Sequence, residues 1–463
     1  MHKAKWVGMA AVATLMLGSG SAAFAKASAA DVAAAKALLM KGVGFRTVEG
    51  QGQVPAYAAY IASVLKQAGY ADTDIEITPM GETATLAATL KGTTRGKPIV
   101  LLGHMDVVEA KAADWTRDPF VAVEENGYVF GRGSEDNKYD VTLMIATMAK
   151  LKKEGFKPRR DIILVLSGDE ETEMKTTAAL AEKYKGAEFA LNGDGGGGLL
   201  SEDGKPLFYG LQAGEKSYAD YQIAFTDPGG HSSAPTTTNP VYRLAKALDR
   251  VGGYHFPNQI NELTKASLTA ASTQVGGEVG AAMARYARNP NDAAAADLIA
   301  TRPEYVGQVR TTCVATMVNA GHAQNALPQS ATANINCRIF PGVSVEAIQA
   351  KLTEVVADAT AKVTVLGDPL ASDASPLRKD VVAAVTKAVN ARYPGLTITP
   401  SMSAGATDSL YFRALGVPSY GVSSLFARSE DSFAHGLNER VDIRTLGAAL
   451  DQWESVLRDI GSQ

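Results

Sequence analysis

The residue order predicts an α/β protein: a mixed or parallel sheet covered on both faces, with a ferredoxin-like α+β unit inserted into it. Three observations carry that expectation. Short apolar runs closed by a glycine or a polar residue, at 98–103 and 161–167, read as buried strands. Segments with apolar residues at helical spacing alternate with them. Between 215 and 369 the order becomes strand, helix, strand, strand, helix, strand, which is the ferredoxin-like order.

The chain opens with Lys3 and Lys5, an apolar run over 7–17, and small residues ending in Ala23, Phe24 and Ala25. This is the layout of a secretory signal peptide over 1–25, and the apolar run is too short to span a bilayer. Helices are expected over 30–41 and 55–68, the second from Tyr57, Tyr60, Ile61, Val64 and Leu65. Strands at 82–90 and 98–102, a helix at 141–151, a strand at 161–167, a helix at 177–184 and a strand at 189–192 follow. The pattern changes near Gly214. A strand at 217–225, a helix at 241–251, strands at 312–318 and 331–340, a helix at 345–357 and a strand at 362–366 make up the second unit. An alanine-rich segment over 255–310, expected to be helical, interrupts it. After Pro369 the first pattern resumes with a helix at 378–392, strands at 396–398 and 418–422, and helices at 408–414 and 443–459. The expected division is a main domain over 26–214 and 370–463, with 215–369 inserted.

The 463 residues are 46% hydrophobic and 20% charged, a globular composition that excludes a mostly disordered chain. Lys and Arg total 45 against 49 Asp and Glu, and removal of 1–25 takes the formal charge from −4 to −6. No basic excess points to nucleic acid. No later run is long enough to span a membrane, so the expected location is periplasmic or secreted. The two cysteines exclude a thiolate zinc cluster. Cys313 and Cys337 lie equally far from Asn325, so a hairpin centred there sets them opposite each other. They read either as a disulfide formed in an oxidising compartment or as two buried thiols.

His104 and Asp106 follow the strand at 98–102, where open α/β sheets place ligands. Asp106 suits orientation of the imidazole, or the two form a structural pair. Asp136 sits in Gly131-Arg132-Gly133-Ser134-Glu135-Asp136-Asn137-Lys138, just before a helix, where it also reads as a helix cap. Glu170 and Glu171 end the strand at 161–167. Adjacent carboxylates repel unless a cation or shared proton relieves them, though on their own residues alone a solvated helix start is the better explanation. Asp194 ends the strand at 189–192, and His435 follows Ser432-Phe433-Ala434. His104 and His435 are the two histidines of the main domain. Two imidazoles with several carboxylates suit a pair of divalent zinc ions on N and O ligands. Ser232 lacks the strand-turn-helix elbow of a serine nucleophile, and no dinucleotide-binding glycine pattern follows a first strand.

The pieces GHMDVV, GRGSEDNK, SGDEET, NGDGG, GGHSSAP, QNALP, GATDSLYF and AHGLNE, in that order, resemble the M20 metallopeptidases. That family includes carboxypeptidases, dipeptidases, aminoacylases and succinyl-diaminopimelate desuccinylases. The resemblance implies a zinc-exopeptidase-like mixed sheet, with the insert as a lid and dimerisation domain. It also implies two Zn2+ per subunit, with Co2+ or Mn2+ as substitutes. Asp136 would bridge them, His104 and Asp194 would complete one site, and Glu171 and His435 the other. Glu170 would be the general base, and Asp106 would hold His104. His231, Asn325 and Arg338 would contact substrate from the insert. The sequence departs from the family pattern at Glu135, Asn137 and Asp194, and in its long 255–310 segment.

On this reading the protein is an exported exopeptidase, a carboxypeptidase or dipeptidase. The alternative is an N-acyl amino acid amidohydrolase, which shares every metal ligand. A non-catalytic binding protein on the same fold is the rival of another class, and an intact Glu170 with all five ligands argues against it. The expected partners are a small peptide or N-acyl amino acid and a second copy of the chain. His231 is expected to act in the partner's site.

Overall fold

The structure is a computed structural model that describes residues 26–463; the signal-peptide expectation lies outside the described residues. A ten-stranded mixed sheet forms the main body. Across it run Ile75–Met80, Thr83–Leu90, Ile162–Ser167, Ile99–His104, Phe189–Asn192, Ser419–Gly421, Pro206–Glu215, Gly197–Leu200 and Phe426–Arg428. Ile398–Ser403 pairs in parallel with Pro206–Glu215. Ile99–His104 lies between two parallel neighbours, Ile162–Ser167 and Phe189–Asn192.

Both faces of the sheet's centre are covered, which is why Ile99–His104 and Ile162–Ser167 are buried throughout and read as continuous apolar runs. Leu101, Ile162, Leu164 and Leu166 pack under the helices Ala29–Val43, Val54–Gln67, Lys138–Lys153, Lys379–Arg392 and Leu446–Gly461. Val100, Leu102, Ile163 and Val165 face Leu180 and Phe412 of the helices Lys175–Lys183 and Ser409–Ala414. Ser28 starts the first helix by accepting the Asp31 N–H while Asp31 returns the bond, a reciprocal cap that satisfies two otherwise unpaired donors.

A second sheet of four antiparallel strands has the order Thr312–Ala320, Ser330–Ile339, Ser217–Thr226, Lys362–Leu366. The helices Pro240–Gly253 and Val345–Val356 cover one face, over Tyr221, Ile223, Ile335 and Ile339. With the chain order strand, helix, strand, strand, helix, strand, this is a ferredoxin-like arrangement. Residues 255–310 form four helices, Glu262–Val275, Gly277–Arg288, Ala293–Ala300 and Pro303–Val309. The first packs against Ile398–Ser403 of the large sheet, with Leu263 in the main core and the Ser267 hydroxyl on the Pro400 carbonyl at 3.1 Å. Cys313 and Cys337 are cross-strand partners and form a disulfide, with Cα atoms 4.1 Å apart.

Several elements depart from the sequence expectation. Ile398–Ser403 lies further along than the strand expected at 396–398, because Pro400 inside it conceals its continuation. Pro206–Glu215 and Gly197–Leu200 are strands in a stretch to which the sequence pattern assigns no element. Their glycines, Gly197, Gly198, Gly210 and Gly214, break any apolar pattern. Among the described residues no helix is long and apolar enough to cross a membrane.

Candidate metal centre

The site begins at the carboxyl end of Ile99–His104, where the strand delivers His104 as its last residue. Glycines let the next layer approach. A Cβ on Gly103 would lie 2.8 Å from Val141 and 2.9 Å from Asn137; one on Gly193 would lie 2.8 Å from Asp140. The start of Lys138–Lys153 therefore seats directly on the ends of two strands, which carries Asp136 to His104. Asn137, not Asp136, occupies the helix-capping position and makes no side-chain cap bond. The helix-cap reading of Asp136 is thus set aside: its carboxylate turns to the histidines instead.

His104 Nε2 lies 3.1 Å from Asp136 Oδ1 and 3.9 Å from Asp194 Oδ2. His435 Nε2 lies 3.2 Å from Asp136 Oδ2 and 3.0 Å from Glu171 Oε2. One carboxylate thus stands between two imidazoles, with one oxygen toward each. Around it are two groups of donor atoms, each mutually within 4.8 Å: His104, Asp136 and Glu171, and His104, Glu170 and Asp194. Neutral imidazole nitrogens and carboxylate oxygens at this spacing suit a divalent cation of the zinc class.

The electrostatics point the same way. Burial pushes Glu170 and Asp194 well above the usual carboxylate range; His104 opposes the rise in both, while Asp194 raises Glu170 and Asp136 raises Asp194. Burial also raises Asp136, but hydrogen bonds from His104 and His435 outweigh it and hold this carboxyl well below its usual value. Bonds to Asp136 and Glu171 push His435 up to about 10. Crowded acids and retained protons are what a site looks like when its charges must balance one another. Cations between them would hold all these groups deprotonated.

Asp106 has a broader part than orienting His104. The contact to His104 Nδ1 is made by its backbone carbonyl, at 3.1 Å, with the carboxylate at 3.6 Å. That carboxylate accepts the N–H groups of Glu170 at 3.1 Å and Glu171 at 3.0 Å. It therefore aims both acids, because the pair lies in a turn with no strand or helix to fix it. Glu170 and Glu171 are half-buried, and the next helix starts at Lys175, so they are not a solvated helix start.

Glu439 is a site residue whose role sequence reasoning missed. Fully buried, it accepts the N–H groups of Gly133, Glu135 and Asp136 and pairs with Arg132 at 2.7 Å. Its signal was present in AHGLNE, but only the fold shows which loop it meets. Asp408 was missed likewise: it is buried, takes the Ser167 hydroxyl at 2.9 Å, and is pushed up to about 6 chiefly by burial.

The insert contributes unevenly. Arg338 Nη1 reaches the Ala404 carbonyl of the main domain at 3.3 Å, and its guanidinium lies over Tyr218. His231 and Ala326 pair in a two-stranded ribbon, where the Asn325 carbonyl accepts the Ser232 N–H at 3.0 Å. The His231 ring is exposed, and its Nδ1 meets the Ser233 hydroxyl at 2.8 Å. The structure thus brings His231 and Asn325 together, and among the described residues neither hydrogen-bonds to His104, Asp136, Glu170, Glu171, Asp194 or His435 of the same chain.

Residues 100–459 match the family described as Peptidase family M20/M25/M40. An N-fatty-acyl-amino acid synthase/hydrolase of Danio rerio is 27% identical over 369 residues, 77% of this chain and 71% of its own length. A probable carboxypeptidase S-like protein of Dictyostelium discoideum is 26% identical over 384 residues, 78% of this chain and 72% of its own. Among solved structures, an M20 family metallo-carboxypeptidase from Sulfolobus solfataricus superposes with a TM-score of 0.68 at 18% identity, covering 92% of this chain and 99% of that one. A dinuclear metal binding peptidase of the M20 family from Bacillus subtilis superposes with a TM-score of 0.61 at 14% identity, covering 94% and 99%.

Proposed function

The chain belongs to peptidase family M20/M25/M40, and from that premise we propose that it is an exported, dinuclear zinc hydrolase acting as an exopeptidase, a carboxypeptidase or dipeptidase. The observation that carries the reading is the Asp136 carboxylate between His104 and His435, one oxygen toward each at 3.1 and 3.2 Å. His104, Asp136 and Asp194 would hold one ion, and Asp136, Glu171 and His435 the other. Zn2+ suits these donors, with Co2+ or Mn2+ as substitutes. Such a pair of ions supplies Lewis-acid polarisation of a scissile carbonyl and acidifies water to a pKa of about 7.

The protein's own groups do the rest. Glu170, aimed by Asp106, takes the proton of the attacking water and returns it to the leaving nitrogen. Burial raises its carboxyl above the usual carboxylate range, which makes the deprotonated group a stronger proton acceptor. Arg338, beside Ala404, offers a planar pair of donors to a substrate carboxylate. Asn325 supplies an amide from the ribbon, and His231 a donor for the developing oxyanion.

Two features support dimerisation with His231 acting in the partner. Ser217–Thr226 leaves the large sheet just after Glu215 and runs for ten residues before the ribbon. At about 3.3 Å per residue the far end of this strand, Thr226, lies roughly 30 Å along from its start, and the ribbon of His231 follows it in the chain. The edge strand Thr312–Ala320 also exposes Val314, Met317 and Val318, and the four extra helices pack elsewhere. An open apolar edge is a self-complementary surface for a two-fold pair. The Cys313–Cys337 disulfide supports export to an oxidising, periplasmic or extracellular compartment.

The Danio rerio relative favours a second reading, in which the acyl group is a fatty acid rather than a peptide. Both readings free an amino acid from an amide on its nitrogen and differ in what fills the acyl side. Product analysis on unblocked dipeptides, C-terminally free peptides and N-acyl amino acids, with and without chelator, tests them. Chelator-sensitive release of a C-terminal amino acid from peptides is expected. Cleavage of N-fatty-acyl substrates alone would select the second reading, and chelator-insensitive turnover would overturn both.

A further inference from the structure

His104 and His435 are held in different ways. His104 ends a central strand and is buried. His435 lies in an irregular segment, takes a left-handed backbone with φ of 62°, and leaves 55% of its side chain exposed. No strand or helix fixes it, so its place depends on side chains that hold the 432–436 segment.

Glu135 is the main such tie. Its Oε2 accepts the Phe433 N–H at 2.6 Å, and its Oε1 accepts the Ser432 hydroxyl at 3.3 Å. Glu135 adjoins Asp136, and Phe433 stands two residues before His435. The contact of Asp136 with His435 and the bond of Glu135 with Phe433 therefore close a small cycle between the two loops. Arg440 presses on the same segment, its guanidinium 3.6 Å from the Phe433 ring centroid, and it makes no ion pair among the described residues. Arg132 Nη2 donates to the His435 carbonyl at 3.3 Å.

We propose that Glu135 is a positioning residue that holds His435 against Asp136, so that its loss weakens metal binding on the His435–Glu171 side and spares the His104–Asp194 side. The inference rests on the two-ion reading above. Groups of this kind, one step removed from a metal ligand, are worth about 10–100-fold in metal affinity.

The test uses Glu135→Ala and Glu135→Gln in the full chain, the glutamine keeping an oxygen for the Phe433 N–H. Two measurements are made on metal-stripped protein. Zn2+ titration by calorimetry reads both binding steps, and hydrogen exchange by mass spectrometry reads the 430–436 segment without metal. The expected result is faster exchange there and about tenfold weaker binding in one step for Glu135→Ala, with the other step unchanged. Glu135→Gln should restore both readouts. Unchanged exchange in Glu135→Ala, equal weakening of both steps, or a glutamine variant as impaired as alanine would overturn the proposal. A parent protein that takes up fewer than two Zn2+ would overturn the two-ion reading itself, visible before any variant is compared.

Discussion

The Glu439 carboxylate accepts the backbone N–H of Asp136 at 3.1 Å, across 303 residues of chain. The same carboxylate takes the N–H groups of Gly133 and Glu135 and the Arg132 guanidinium. A loop with no secondary structure of its own is thereby fixed by one buried anion, and with it the residue set between the two histidines. Glu439→Gln puts an amide donor against these N–H groups and leaves Arg132 buried without a carboxylate. Breaking a buried pair costs about 3–5 kcal/mol. The variant should lose stability on that scale in urea unfolding and bind Zn2+ at least about tenfold more weakly. Unaltered Zn2+ affinity would count against this role.

Glu170→Gln should retain metal and lose turnover by at least about 10²–10⁴-fold, because the amide can neither take nor return a proton. Asp136→Ala should lose both ions together. Metal analysis beside initial rates separates the two. Metal loss in Glu170→Gln would make Glu170 a ligand, and retention of one ion in Asp136→Ala would argue against a shared carboxylate.

Much of this centre was legible before the fold. His104, Glu171 and Asp194 follow apolar strands and Asp136 a glycine-rich turn, while His435, in an irregular segment, and the grouping of all five came from the resemblance to the M20 family. What the sequence could not convey is which loop meets which. Glu439 looks like any acid before Arg440, and only the approach of the 131–137 loop makes it a four-donor acceptor. Asp106 reads as a partner for His104, yet most of its carboxylate serves the Glu170–Glu171 backbone.

The same limit applies to the sheet. Ile162–Ser167 is apolar throughout and legible. Pro206–Glu215 is buried through its second half but alternates glycine, polar and apolar residues, as in Gly210-Leu211-Gln212-Ala213-Gly214. Its polar members are satisfied by tertiary partners. Gln212 donates to Glu215 at 3.2 Å, and Glu215 pairs with buried Arg413 at 2.7 Å. Periodicity rules read such a strand as loop, because they assume that buried positions are apolar.

The disulfide joins an edge strand to its neighbour over a sequence separation of 24. Closing a loop of that length in the unfolded chain is worth roughly 3 kcal/mol in the chain-entropy account. Unreduced, denatured protein should show no free thiol by titration. Replacing both cysteines by serine should lower unfolding stability on that scale; two titratable thiols in freshly isolated protein would rule out the bond.

Lys216 lies buried where the two sheets join, its Nζ on the Arg310 carbonyl at 2.8 Å. Burial, aided by the charge of Arg338, pushes its amine down to about 7 from an ordinary 10.5. Between those values the unfolded chain binds a proton that the native protein does not. This group's contribution therefore makes stability rise with pH across that window, by at most about 1.4 kcal/mol per pH unit, and stay flat below it. Urea midpoints of metal-stripped protein across that window should show the slope. Lys216→Met should reduce it, and an unchanged slope would place the titration elsewhere.

The last prediction joins the ribbon of His231 to the open edge of the small sheet. His231 is exposed, and among the described residues its ring bonds to Ser233 of its own loop, while Glu215, just before the other end of Ser217–Thr226, accepts a bond from Thr407 of the main domain. If it serves a partner's site, two inactive variants, His231→Ala and Glu170→Gln, must complement each other. A mixed dimer then has one site with both defects and one with neither, so up to about half of the sites in mixed dimers recover. Met317→Lys places a charge on the exposed edge strand and should give a monomer by light scattering, inactive though its ligands are intact. A parent protein that is strictly monomeric, or no recovery after proven subunit exchange, would refute action in the partner. Recovery that Met317→Lys in both chains abolishes would place both the dimer contact and the missing donor on this one face.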